Sequence, residues 1–236
     1  KIFLPFKENI SILEQIVLKA KTISNPCIIL FDETSPGRDI VNFIGLKYNC
    51  EVYFGAENPS QRIINYIENI GIKKYPNSKF FIRLTGDNPF ISSEALKKIS
   101  EFLALNNSID YLSFKNLISG TKPELYSFNI ISKIRKLLES KKRTVGEHLS
   151  LYLKLNKNFG KEIHLDDPKS NTNFLDKTLS IDTPEQYASM RNLIEKYKSL
   201  NTFDDSFIKN VDLSNHEHKI IKIENRYADY KSYLFD

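Results

Sequence analysis

The chain has 236 residues, 41% of them hydrophobic, with 34 Lys and Arg against 29 Asp and Glu for a net charge of +5. That balance suits one substantial α/β domain, or one domain with a small appendage, and excludes an intrinsically disordered chain. No basic block exceeds Lys141-Lys142-Arg143, so a nucleic-acid partner is not expected, whereas a pocket for a small anionic ligand needs only a few of these charges.

Along the chain, Ile12, Leu13, Ile16, Val17 and Ala20 share one helical face, with Ser11 as a cap and Asn25-Pro26 as a stop. Cys27 to Phe31 reads as a strand. Pro36 to Tyr48, with Ile40, Val41, Ile44 and Leu46, reads as a helix leading into a strand at Glu51 to Phe54. Ser60 can cap a helix carrying Ile63, Ile64, Ile67 and Ile70, and Phe80, Phe81, Ile82 and Leu84 form an apolar strand that ends at Asp87. Ser92 or Ser93 opens a helix through Leu105, followed by a strand at Asp110 to Phe114. The centre then reads as a strand at Glu124 to Phe128, helices at Ile130 to Leu138 and Val145 to Leu155, and an edge strand at Glu162 to Leu165. A strand at Thr178 to Asp182 and a helix from Pro184 to Tyr197 close the pattern. Strands separated by helices of this length predict an α/β fold of three layers around a mostly parallel sheet. The expected organisation is one domain over residues 1–197, its centre at about 115–170 being an extension of that domain, with a C-terminal extension over 198–236.

Two carboxylates stand out. In Arg83-Leu84-Thr85-Gly86-Asp87-Asn88-Pro89-Phe90 an apolar strand ends in a carboxylate and a turn, and Leu179-Ser180-Ile181-Asp182-Thr183-Pro184-Glu185 repeats that arrangement. Ligands of open α/β sheets collect outside the carboxyl ends of the strands, where a fixed carboxylate can hold a metal against a bound phosphate. Cys27 and Cys50, each in or beside an apolar run, are expected as buried free thiols. No apolar run reaches the length of a membrane span and no signal-peptide pattern is visible, so a cytoplasmic location without membrane insertion is expected.

Four segments, in order, resemble the GT-A-like nucleotidyltransferases, and within them the spore-coat-polysaccharide type of cytidylyltransferase, related to the CMP-sialic acid and CMP-ketodeoxyoctonate synthetases. They are Lys1 to Phe6 with Ser11-Ile12-Leu13-Glu14, Arg83 to Ile91, Arg143-Thr144-Val145-Gly146-Glu147-His148, and Ser180 to Glu185. The resemblance implies a Rossmann-like nucleotidyltransferase domain that transfers CMP from CTP to an anionic sugar or related small acid, releasing pyrophosphate, for surface polysaccharide synthesis. It implies a Mg²⁺ cofactor held by Asp87 and Asp182, Lys1 on the phosphates, and Asp32, Gly86 and Asp87 at the nucleotide. The central insertion, with Lys122, Glu124, Arg143 and His148, is expected to bind the acceptor. The family also carries a first central strand and a Gly-containing phosphate loop before the position of Lys1, so an upstream continuation of this kind is expected.

Taken singly, these residues have plainer roles. Asp87 is good turn chemistry, Asp182 a good helix cap, Asp32 a loop cap, Lys1 a frayed terminus, and Arg83 an ion-pair partner turned away from the ligand. His148 beside Glu147 can orient an acceptor or bond its neighbour, whereas His164, His216 and His218 have no ligand-like companions. Lys122 stands where relatives tend to carry an aspartate, so the acceptor is expected to differ from theirs. Tyr227, Tyr230, Tyr233 and Phe235 read as packing or as the contact of a homodimer. Two rival readings remain: a GT-A glycosyltransferase, which would usually show an Asp-x-Asp motif, and a non-catalytic nucleotide-sugar binding subunit.

Overall fold

The computed structural model describes residues 1–167, 171–198, 205–219 and 233. A short hairpin, β1 (Pro5–Lys7) and β2 (Ile10–Ser11), leads into α1 (Ile12–Lys21). Ser11 caps this helix in a reciprocal box: its hydroxyl accepts the Glu14 N–H at 3.2 Å, and the Glu14 carboxylate accepts the Ser11 N–H at 2.9 Å. Then follow β3 (Ile28–Asp32), α2 (Arg38–Tyr48), β4 (Glu51–Gly55) and α3 (Pro59–Tyr66). The cap of α3 is Asn58, with Pro59 at the first helical position, rather than the expected Ser60. Ser60 instead donates to the Glu147 carbonyl at 2.7 Å. A π-helical turn over Ile67–Gly71 and the single turn α4 (Ile72–Lys74) complete this arm.

The second half begins with β5 (Phe80–Arg83) and α5 (Ser93–Leu105), capped by Ser92. It continues through β6 (Tyr111–Phe114), β7 (Glu124–Ser127), α6 (Phe128–Ser140), α7 (Leu149–Leu155), β8 (Glu162–Leu165), α8 (Pro184–Lys196) and α9 (Asp205–Asn210). Val145 to His148, expected inside a helix, are non-helical, and α7 starts only after His148. Thr178 to Asp182, expected as a strand, make one bridge, Ser119 to Thr178, and otherwise lie outside any strand.

The α/β class is as the sequence indicates, but the sheet is mixed rather than mostly parallel. β3 and β4 pair in parallel, and the larger sheet has the order β5-β7-β6-β8, in which β7 is antiparallel to both neighbours and β8 is parallel to β6. The cause is local: residues 115–123 contain no helix, and so short a connection can return a strand beside its predecessor only in the antiparallel sense. β8 lies at the sheet edge, as expected. Among the described residues β3 pairs only with β4 and β5 only with β7. Helices α3 and α6 contact each other, and the core beneath them gathers Ile64, Ile67, Ile130, Ile134, Tyr111 and Tyr126 with Ile28 and Leu30 of β3 and Phe81 of β5. Of the expected apolar face of α2, Val41 and Ile44 are buried, whereas Ile40 and Leu46 remain 47% and 84% exposed. Cys27 and Cys50 are free thiols, the first buried and the second half-buried. No helix among the described residues is long and apolar enough to cross a membrane.

Candidate active site

Three segments distant in sequence are stitched together where β5 ends. The Ile181 N–H donates to the Asp87 carbonyl at 2.9 Å, and the Leu179 N–H to the Ser119 carbonyl at 2.8 Å. Gly120 makes the crossing tight enough: its φ is +85°, and a Cβ there would stand 2.5 Å from the Ser180 nitrogen. Asp182 is thereby delivered to the amino end of α8, where Thr183 and Gln186 form a capping box and Pro184 starts the helix. The first turn of the chain is fixed over the same place. The Leu4 N–H donates to the Lys1 carbonyl at 3.0 Å, the Leu13 N–H donates to the Ile2 carbonyl at 2.9 Å, and Ile2 lies against Gly86.

These constraints bring Lys1, Asp87 and Asp182 into one cluster. The Lys1 ammonium lies 3.1 Å from Asp182 Oδ1 and 3.7 Å from Asp87 Oδ2. All three side chains are partly open to solvent, at 42%, 29% and 37% for Lys1, Asp87 and Asp182. Two carboxylates therefore share one cation, the Lys1 ammonium. Among the described residues no group of three or more His, Cys, Asp or Glu could hold a metal ion, and the donor set here is two carboxylates, all oxygen. That fits Mg²⁺, which takes one or two carboxylates and completes its shell with phosphate oxygens and water.

The other expected residues fall in different surroundings. Asp32, at the end of β3, gives its oxygens to its own loop: it accepts the Thr34 N–H and hydroxyl at 2.8 Å each and the Ser35 hydroxyl at 2.7 Å. Ser35 and then Thr34 hold its carboxyl below the usual aspartate value. Gly86 sits in the turn beside Ile2. Arg143 lines a cavity of about 320 Å³ between α3 and α6 with Arg135, Glu139, Asn58 and Gln61. His148 caps α7, its Nε2 3.7 Å from Glu147, and Asn58 Nδ2 donates to the Val145 carbonyl at 2.9 Å, so this segment is held by α3. Tyr233 is buried against Tyr152, whereas Tyr227, Tyr230 and Phe235 lie outside the described residues.

Glu124 requires a correction. Expected as an acceptor contact, it is committed to an internal network: Oε2 accepts Arg83 Nη1 at 2.8 Å and the Tyr126 hydroxyl at 2.9 Å, and Oε1 accepts the Tyr111 hydroxyl at 2.8 Å. Burial alone would raise its pKa, but Arg83 first, then Lys154 and the two hydroxyls, hold it down to about 2. Arg83 is thus the inward ion-pair partner that the strand position suggested. Lys122, two residues earlier, is half-buried and donates to the Lys115 carbonyl at 3.3 Å. Tyr111 and Tyr126 escaped the sequence reading; strand alternation puts Tyr126 and Glu124 on one face, but only the register reveals Arg83 opposite.

With this geometry in place, the comparisons with known proteins are decisive. The sequence model of the family described as cytidylyltransferase matches residues 55–217. The chain belongs to the cytidylyltransferase family. It is 26% identical over 159 residues to the spore coat polysaccharide biosynthesis protein SpsF of Bacillus subtilis, covering 67% of this chain and 62% of that protein. It is 37% identical over 100 residues to an uncharacterized protein of Methanocaldococcus jannaschii, 40% of each. The chain thus spans less than two thirds of the length of these curated relatives. Among solved structures, a cytidylyltransferase from Leptospira borgpetersenii aligns with a TM-score of 0.64 at 23% identity, over 90% of this chain and 91% of that one. A 4-diphosphocytidyl-2C-methyl-D-erythritol synthase from Anaerococcus prevotii aligns with a TM-score of 0.55 at 15% identity, over 79% and 86%. At these identities the structures support the shared fold.

Proposed function

We propose that this protein transfers a cytidylyl group from CTP to an anionic sugar or related small acid, with Mg²⁺, in surface polysaccharide synthesis. The convergence of Lys1, Asp87 and Asp182 at the end of β5 carries this reading, and family membership and the likeness to a spore coat polysaccharide protein support it. In the transfer an acceptor oxygen forms a bond to the α-phosphorus, the bond from that phosphorus to the oxygen bridging to the β-phosphate breaks, and pyrophosphate leaves. The acceptor hydroxyl proton passes to solvent or a nearby base. Asp87 and Asp182 would hold the metal, which supplies charge compensation for the triphosphate. Lys1 would leave the carboxylates for the phosphate oxygens, keeping its positive charge beside the reacting group. Residues 1–197 would form the catalytic unit, with about 115–170 bearing the acceptor and 198–236 an extension.

The test is pyrophosphate release from CTP, UTP, GTP and ATP over a panel of acidic sugars and small acids. CTP-selective, acceptor-dependent release supports the proposal. Binding of CTP without turnover on any acceptor would point instead to a nucleotide-binding assembly subunit.

A further inference from the structure

The sheet face that carries Arg83 is aromatic at one end and cationic at the end nearer Asp87. Phe81 stacks on Tyr126 with ring centroids 5.5 Å apart, and Tyr126 packs on Tyr111 at 5.1 Å. One step along the same face, Arg83 stands opposite Glu124, and continuing the antiparallel register sets Lys122 opposite Thr85. The same register places Ser113 of β6 beside Glu124, and Ser113 pairs with His164 of β8. A polar row, Arg83, Glu124, Ser113 and His164, therefore crosses four strands at the border of the aromatic floor.

Charge in this row is unbalanced. Glu124 is engaged by Arg83, Tyr111 and Tyr126, as described. Lys122 donates only to a backbone carbonyl, and Lys154 of α7 only to the Ser150 hydroxyl at 3.5 Å; among the described residues neither forms an ion pair with a carboxylate. Burial, and then the neighbouring Lys154 cation, pull the Lys122 ammonium below the ordinary lysine value, against the pull of Glu124. Arg83 gives one of its five N–H donors to Glu124 and keeps 16% of its side chain exposed. Arg83 bonds the fully engaged Glu124, the half-buried Lys122 precedes it by two residues and the exposed Lys154 acts on both through space, and a half-buried cation without a counter-ion is costly until an anion arrives.

We propose that Arg83, Lys122 and Lys154 form an oxyanion subsite that receives the carboxylate, phosphate or phosphonate of the acceptor. This rests on the transfer reading given above. It goes further by assigning the acid group of the acceptor to three named side chains and by removing Glu124 from direct contact. The aromatic rows beyond it are buried in the core beneath α3 and α6 and back the subsite rather than line it, while the cation site at Asp87 lies on the other side.

Titration calorimetry of the full-length protein at low ionic strength, with methylphosphonate and with acetate, tests the subsite. Whichever anion binds more tightly names the acid group. Lys122→Gln combined with Lys154→Gln should weaken that binding about tenfold or more and change CTP·Mg²⁺ affinity by less than about twofold. Lys122→Arg with Lys154→Arg should restore anion binding, which separates charge from packing. Equal anion affinity in wild type and the double Gln variant, no saturable binding of either anion by wild type, or a parallel loss of CTP affinity would each overturn the subsite. If wild type binds the anion in a lysine-dependent way but does not bind CTP, the subsite stands and the transfer reading fails.

Discussion

Replacing Glu124 by Gln should cost stability rather than remove an acceptor contact. The carboxylate and its Arg83 partner are 13% and 16% exposed, and two tyrosine hydroxyls complete the pair. Lowering the Glu124 pKa from 4.5 to about 2 corresponds to ~3 kcal/mol of differential stabilisation of the ionised form. That agrees with the ~3–5 kcal/mol typical when one partner of a buried ion pair is removed. For a chain of this size each kcal/mol moves the melting temperature by roughly 2–4 °C, so Glu124→Gln should melt about 6–12 °C lower at neutral pH. Because the folded pKa is depressed, the contribution is fully present above pH 4.5 and falls away as the pH drops toward about 2. Urea denaturation of wild type and Glu124→Gln at pH 7 and pH 3 reads both effects. A gap below ~1 kcal/mol at pH 7, the level of an exposed pair, or an equal gap at the two pH values would refute the buried-pair argument.

Gly120→Ala should impair turnover and destabilise by ~1–3 kcal/mol, because a side chain there meets both a positive φ and the Ser180 backbone; recovery of full activity with unchanged melting would contradict this. Glu14→Gln loosens the contact of α1 with α2, since Glu14 accepts Lys47 Nζ at 2.8 Å and the Tyr48 hydroxyl at 3.1 Å. A loss of ~1–3 kcal/mol by chemical denaturation at pH 7 is expected, and it should shrink below pH 4.5, because the Glu14 carboxyl is held near 2. Asp87→Asn and Asp182→Asn lie on partly exposed tips and should change stability by less than about 0.5 kcal/mol while abolishing turnover; unfolding of either variant would make the residue structural.

Local signals were legible in the sequence where local chemistry decides the outcome. Ser11 with Glu14, Ser92 before α5, and Thr183-Pro184 before α8 cap helices because their side chains reach backbone N–H groups three residues away. Asp87 and Asp182 could be singled out as strand-tip carboxylates, but their meeting at Lys1 depends on bonds through Ser119 and Ile181 that no spacing encodes. Non-local pairing hid the rest. β7 inserts between β5 and β6, which made the sheet mixed and turned Glu124 toward Arg83, 41 residues away. Val145 to His148 have helical periodicity, yet Asn58 and Ser60 of the α3 amino end take the Val145 and Glu147 carbonyls and keep the segment out of the helix. His164 does have a companion on its own strand, Glu162 two residues earlier at 3.4 Å, which strand alternation could have shown, whereas Tyr111 meets it only across the folded sheet.

The most direct test of the central claim follows the phosphorus atoms themselves. In ³¹P NMR of the full-length protein with CTP, Mg²⁺ and an acidic acceptor, the triphosphate signals should give way to pyrophosphate and a CMP ester in equal amounts. Neither product should form with Asp87→Asn or Asp182→Asn. Release of CDP and phosphate, or an ester formed equally well by these variants, would contradict it.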